Sequence, residues 1–415
     1  MKKRVILLIF GIFILALLEG CVPKAQPDNT EPPASTAPEN TPKPPQEVKD
    51  PIKEKIKEMT MEEKLGQMLI AGLDGYELND NAKALMENYH VGGFILFGSN
   101  IKDIDQLSKY INDLKSYHSG KGVPLFISVD EEGGRISRIP KTIKNLPTSK
   151  VIGAVDNEEY SFEVGKLLAK KVSAFGFNMD FAPVLDINSN PKNPVIGDRA
   201  FGAKEDVVSR LGVQTMKGIQ SEQVIPVVKH FPGHGDTSVD SHIGLPSVEN
   251  DLSRLQSFEL IPFAEAIKNN ADCVMVAHIL LPKIDAENPS TMSKTIITDI
   301  LRQQLSFKGV VITDDMTMGA ITKNYKIGEA AVKAVNAGVD IVLVAHEMEN
   351  AKAVFDALMT AQKEGKITEE RIDESVYRIL SLKEKYHLED KAAGPVDVKD
   401  LNGQITEVLK QYTKK

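Results

Sequence analysis

Val224-Ile225-Pro226-Val227-Val228-Lys229-His230-Phe231-Pro232-Gly233-His234-Gly235-Asp236-Thr237-Ser238-Val239-Asp240-Ser241-His242 passes from an apolar run to the most chemically loaded stretch of the chain. Residues 224–228 are β-branched apart from one proline, the pattern of a buried strand. Polar residues begin where that strand should end, and Pro232, Gly233 and Gly235 forbid a helix there. The run is therefore a loop at a strand's C-terminal tip, where α/β proteins keep their chemistry. It holds three of the eight histidines, a density that a merely solvated loop does not need. His230 and His234 stand four apart, a spacing that serves zinc when both rings share one helix face. The glycines and the proline remove that helix, so metal is not the favoured reading.

Working outward, short apolar runs recur at 68–71, 93–97, 125–129, 178–181, 224–228, 273–277, 310–313 and 341–344. Amphipathic helical stretches lie between them, among them 104–117, 160–175, 206–220, 252–269, 295–305, 328–337 and 351–364. Eight strands, each followed by a helix or a long loop, predict a single closed (β/α)8 barrel of the TIM type rather than an open sheet. The barrel is expected over 50–388, with Thr60-Met61-Glu62-Glu63 capping its first helix and a last helix at 371–386 on its outside. Residues 389–415 read as a charged C-terminal tail, with one helix from Gln404.

Residues 1–20 have the form of a targeting segment. Lys2, Lys3 and Arg4 precede an apolar core that Leu18-Glu19-Gly20-Cys21 closes, an arrangement that resembles a bacterial lipoprotein signal with Cys21 as the lipidated residue. Residues 21–49 are rich in Pro, Thr, Glu and Lys and cannot bury a core, which predicts a disordered tether. Together they imply an exported protein held to the cell membrane through Cys21 and facing the cell wall. The second cysteine, Cys273, lies in a strand pattern and reads as a small buried hydrophobe.

The 415 residues carry a net charge of −8, which argues against nucleic acid as a partner. No P-loop or dinucleotide fingerprint appears, so no cofactor is expected, and nothing implies an obligate protein partner. The strand tips gather Asp130-Glu131-Glu132-Gly133-Gly134-Arg135 with Arg138, then Asp186, Gly197-Asp198-Arg199, Lys229-His230, His278 and Thr313-Asp314-Asp315-Met316. A pocket lined by such groups, in a chain without tryptophan, suits a polyhydroxylated neutral ligand, because hydroxyls both donate and accept and charged partners make the stronger hydrogen bonds.

Lys229-His230-Phe231-Pro232-Gly233-His234-Gly235 followed by Asp240-Ser241-His242 resembles the signature of glycoside hydrolase family 3, in its NagZ-like β-N-acetylglucosaminidase branch. The segments at Asp130, Gly197 and Asp314 match that family in the same order, and the resemblance covers about residues 52–388. It implies a retaining mechanism in which Asp314 is the nucleophile and His242, oriented by Asp240, replaces the usual carboxylic acid/base. An aspartate at such a junction also serves as a helix cap, a role that Asp315 or Thr317 could fill. Asp130, Arg138, Arg199, Lys229 and His230 match the sugar-binding set. Arg135 is expected in a structural ion pair and His234 in shaping the loop, whereas His278 reads equally as pocket wall or core.

The substrate implied is a terminal non-reducing β-N-acetylglucosamine on a muropeptide or other peptidoglycan fragment. Relatives acting on plain β-glucosides take their acid/base carboxylate from a second domain. A phosphorylase or β-glucosidase on the same barrel, a metal-dependent hydrolase, and a catalytically inactive lipid-anchored sugar-binding protein stand as alternatives.

Overall fold

The computed structural model describes residues 50–413. The signal segment, Cys21 and the tether lie outside the described residues. Eight parallel strands form the centre: β1 (Leu69–Gly72), β2 (Gly93–Ile95), β3 (Phe126–Val129), β4 (Met179–Asp180), β5 (Ile225–Phe231), β6 (Cys273–Val276), β7 (Val310–Thr313) and β8 (Val342–Val344). Their order is β7-β6-β5-β4-β3-β2-β1-β8. A parallel bridge from Ile312 to Ile341, with Thr313 N–H donating to the Ile341 carbonyl at 3.0 Å, joins the two ends into a closed barrel. Every residue of β2, β3, β5, β6, β7 and β8 is buried, as expected of strands covered by helices on one side and by a packed barrel interior on the other.

The eight expected strands are present, with boundaries within a few residues, and three local differences carry physical content. Thr60 and Glu63 form the expected capping box, but the helix Pro51–Glu58, capped by Asp50, comes before it. Strand β5 continues past Val228 to Phe231, so Lys229 and His230 belong to the strand and not to the loop. Phe231 pairs with Val276 after a register shift between Val228 and Phe231, an irregularity of the kind that re-aims side chains at barrel rims.

The third difference is at the C-terminus. The residues expected as a charged tail contain the helix Val398–Thr413, which starts before Gln404. Its Leu401 and Ile405 are buried in the main core, and Tyr412 lies 5.1 Å from the Tyr160 ring. Leu401, Ile405, Val408 and Tyr412 recur at helical spacing among charged residues, which is enough to seat one face on the helix Glu158–Ser173.

Candidate active site

The strand tips converge on one cavity of about 150 Å³. Asp130, Arg138, Arg199, Lys229, His230, His242 and Asp314 all line it, although they come from five separate segments of the sequence. Asp240 stands behind His242. Its Oδ1 lies 2.8 Å from the His242 Nδ1 and accepts the His242 backbone N–H at 2.8 Å.

One side of the cavity is a chain of paired charges. Lys229 Nζ bonds Asp130 Oδ1 at 2.7 Å and Glu132 Oε1 at 2.8 Å. Glu132 in turn receives Arg199 in a two-point contact, Nε to Oε2 at 2.8 Å and Nη2 to Oε1 at 2.7 Å. Burial alone would raise the Glu132 pKa, but Arg199 and Lys229 outweigh it and hold the carboxyl far below its usual range. Burial likewise opposes the charge of Lys229, and Asp130 and Glu132 overcome it, so its pKa is raised. Arg138 differs. Its Nε is buried with no hydrogen-bond partner among the described residues, so its guanidinium keeps donor capacity for a ligand.

Asp186 organises the next part. Its Oδ2 lies 2.6 Å from His230 Nδ1 and its Oδ1 accepts the His234 N–H at 2.6 Å. Arg199 Nη2 lies 3.3 Å from His230 Nε2. Arginine can only donate, so Nε2 accepts and the proton sits on Nδ1, facing Asp186. His234 is buried, with Nδ1 2.8 Å from Thr237 Oγ1 and Nε2 3.1 Å from Ser241 Oγ. Burial, helped by His230, pushes its pKa down to about 4, so at neutral pH it is an uncharged strut that reaches Ser241, between Asp240 and His242. The close approach of this loop to the one after β4 needs Gly235, because a Cβ there would lie 1.7 Å from the Ile187 carbonyl oxygen.

Asp314 directly follows β7, two strands along the barrel from β5. Burial works to raise its pKa, and the imidazoles of His230 and His278, with the Asp315 amide, outweigh it and keep the carboxyl below its ordinary value. Neither aspartate caps the helix that follows, which starts at Gly319 with no side-chain cap: Asp315 accepts the N–H of Thr317 and of Ala345, both at 2.9 Å, and the Thr317 hydroxyl. Asp314 uses Oδ1 for the Asp315 amide; its other oxygen has no hydrogen-bond partner among the described residues. His278 resolves as a core residue. It is fully buried, with Nε2–H donating to the Asp315 carbonyl and Nδ1 2.9 Å from Thr291 Oγ1. Arg135 is structural, donating to Asp198 and to the Val195 carbonyl outside the cavity.

Three carboxylates that the sequence places at the strand tips were given no individual role there. Glu132 holds Lys229 and Arg199, and Asp186 holds His230, as above. Glu131 is buried against Lys171 at 2.6 Å and accepts Ser137 Oγ and the Arg138 N–H at 2.8 Å, which fixes the segment that carries Arg138. The available signal was their position: each stands within seven residues of a strand end, and Glu131 and Glu132 also lie inside the run that begins at Asp130. Phe97 and His346, stacked 5.1 Å apart, complete the rim.

Comparisons with known proteins agree with this geometry. The family model of the glycosyl hydrolase family 3 N terminal domain matches residues 54–382. Beta-hexosaminidase A of Pseudoalteromonas piscicida is 37% identical over 325 residues, which are 72% of this chain and 54% of that protein; the chain thus spans about half the length of that relative. Beta-hexosaminidase LpqI of Mycobacterium tuberculosis is 32% identical over 329 residues, 77% of this chain and 82% of that protein. The structure of a glycoside hydrolase family 3 β-N-acetylglucosaminidase from Paenibacillus sp. str. FPU-7 superposes with a TM-score of 0.82 at 40% identity, covering 85% of this chain and 69% of that one. With the motifs, the closed barrel and the cavity at the strand tips in agreement, the chain belongs to glycosyl hydrolase family 3.

Proposed function

We propose that this protein is a retaining exo-β-N-acetylglucosaminidase that removes a terminal non-reducing β-N-acetylglucosamine from peptidoglycan-derived glycans. The observation that carries the reading is the cavity itself, which Asp314 and the Asp240-backed His242 both line. The names of the relatives support the hexosaminide class. The paired charges between them suit a neutral sugar, whose hydroxyls bond to groups already fixed in place.

In the first step the Asp314 carboxylate attacks the anomeric carbon while the bond to the leaving oxygen breaks. His242 Nε2–H, free because Nδ1 is engaged by Asp240, gives its proton to that oxygen. In the second step Nε2 takes a proton from water, the water oxygen bonds to the anomeric carbon, and Asp314 departs as carboxylate. His242 is 65% exposed in its side chain, so the substrate's leaving group completes its surroundings. We also propose that Cys21 carries a lipid that holds the enzyme at the outer face of the cell membrane.

The test is hydrolysis of an aryl β-N-acetylglucosaminide beside the aryl β-glucoside, followed by trapping with a 5-fluoro N-acetylglucosaminyl donor and peptide mapping. Preference for the acetamido sugar and label on Asp314 are expected. Preference for the glucoside overturns the substrate, and label on another carboxylate overturns the nucleophile.

A further inference from the structure

The loop that carries His242 is exposed at its tip: Val239 is 43% and Ile243 65% exposed, two of the four exposed large hydrophobics among the described residues. Such a loop needs an anchor if its imidazole is to meet a scissile bond in register. The anchor is the segment just after Asp314. Gly319 N–H donates to the His242 carbonyl at 3.2 Å, Ala320 N–H to the Ser241 carbonyl at 3.1 Å, and Lys323 Nζ to the Ile243 carbonyl at 2.7 Å. Three consecutive carbonyls of the loop are therefore held by donors on the piece of chain that bears Asp314.

The approach depends on glycine. A Cβ on Gly319 would stand 2.6 Å from the His242 carbonyl oxygen and 2.9 Å from that of Ile243. Those obstacles are backbone atoms, so any side chain at 319 must push the loop outward instead of being accommodated by rotation. Gly319 is not in the left-handed region, so its requirement is one of space alone.

We propose that Gly319 is a positioning residue for the reaction: its bare Cα is the seat on which the His242 backbone docks, and this contact sets the distance between the imidazole and Asp314. The inference rests on the reading of His242 as acid/base. Gly319 touches neither substrate nor the reacting atoms. Its effect passes wholly through His242 and so falls on proton donation, leaving the attack by Asp314 and the sugar contacts in place. A misplacement of about 1 Å costs on the order of 100-fold in the step affected.

The experiment measures kcat/KM, which reports the first step, for Gly319→Ala in the full chain with two N-acetylglucosaminides. The phenyl glycoside needs a proton on its leaving oxygen; the 2,4-dinitrophenyl glycoside does not. The expected result is a loss of about 100-fold on the phenyl substrate with the dinitrophenyl rate within about threefold of the unmutated enzyme. An equal loss on both substrates, or no loss on either, overturns the proposal. Lys323→Met removes the exposed end of the same anchor without threatening the core, and serves if Gly319→Ala does not fold. It should give a smaller loss, about threefold to tenfold as the net loss of one solvent-exposed hydrogen bond would, again confined to the phenyl glycoside; a loss shared by both substrates, or none, counts against the anchor. Unmutated enzyme inactive on both glycosides would instead refute the functional reading on which this rests.

Discussion

Asp186 and His230 are joined by a 2.6 Å contact between Oδ2 and Nδ1 that fixes which nitrogen of the ring bears the proton. The residues are 44 apart in sequence, on the loop after β4 and within β5. Asp186→Asn would present an amide to Nδ1 and favour the other tautomer, whose Nε2–H then faces the Arg199 donors. The expected result is a fall in kcat/KM of about 100-fold with the far-ultraviolet circular dichroism unchanged. Retention of activity within about twofold would show that the orientation of His230 is not used.

The two arginines of the cavity should behave oppositely. The Arg138 guanidinium has no partner to strand among the described residues, so Arg138→Ala is expected to raise KM about tenfold or more, as loss of a charged hydrogen bond to ligand would, with the melting temperature unmoved. Arg199→Ala leaves Glu132 buried with only Lys229, and breaking such a pair costs about 3–5 kcal/mol. Thermal scans of the two variants side by side separate the roles.

Acid should unfold the protein through its paired carboxylates. Glu132, Asp186 and Asp314 all have pKa values depressed below the ordinary 4.5 and 3.8. A depressed carboxylate contributes stability that is complete above its unfolded value and is lost as pH falls through its folded one. The melting temperature should therefore hold from neutrality to about pH 5 and drop steadily below about pH 4.

Asp180 has the reverse sign. It is fully buried, Oδ1 accepts the Glu131 N–H at 3.0 Å, and Oδ2 has no partner among the described residues. Burial raises its pKa well above the usual value. It therefore opposes folding increasingly as pH rises above about 4. Asp180→Asn should raise the melting temperature at pH 7, with the gain shrinking toward pH 4; a constant gain at all pH values would refute the electrostatic account.

The barrel was legible because its strands are apolar throughout and its tips polar, a contrast that survives without any contact information. Asp314 and the Asp240–His242 pair were legible through their motifs. Glu131, Glu132 and Asp186 were not, because a carboxylate's partner is set by geometry: Glu132 meets Arg199 67 residues on, and nothing local distinguishes it from the neighbouring Asp130. The helix 398–413 was under-read because its apolar face is narrow and its charged residues dominate the composition. The length of β5 was misjudged for a related reason: lysine and histidine look like loop residues until a register shift places both at the rim.

The row from Asp130 through Lys229 and Glu132 to Arg199 has one further consequence. Arg138, Asp314 and Asp315 also line the cavity, so four acidic groups face three cations and the opposite charges nearly cancel. Such a mouth projects little net field, and an uncharged ligand should enter at a rate and affinity nearly indifferent to ionic strength. Under the proposed function, the barrel would hold its sugar alike at low and at high salt.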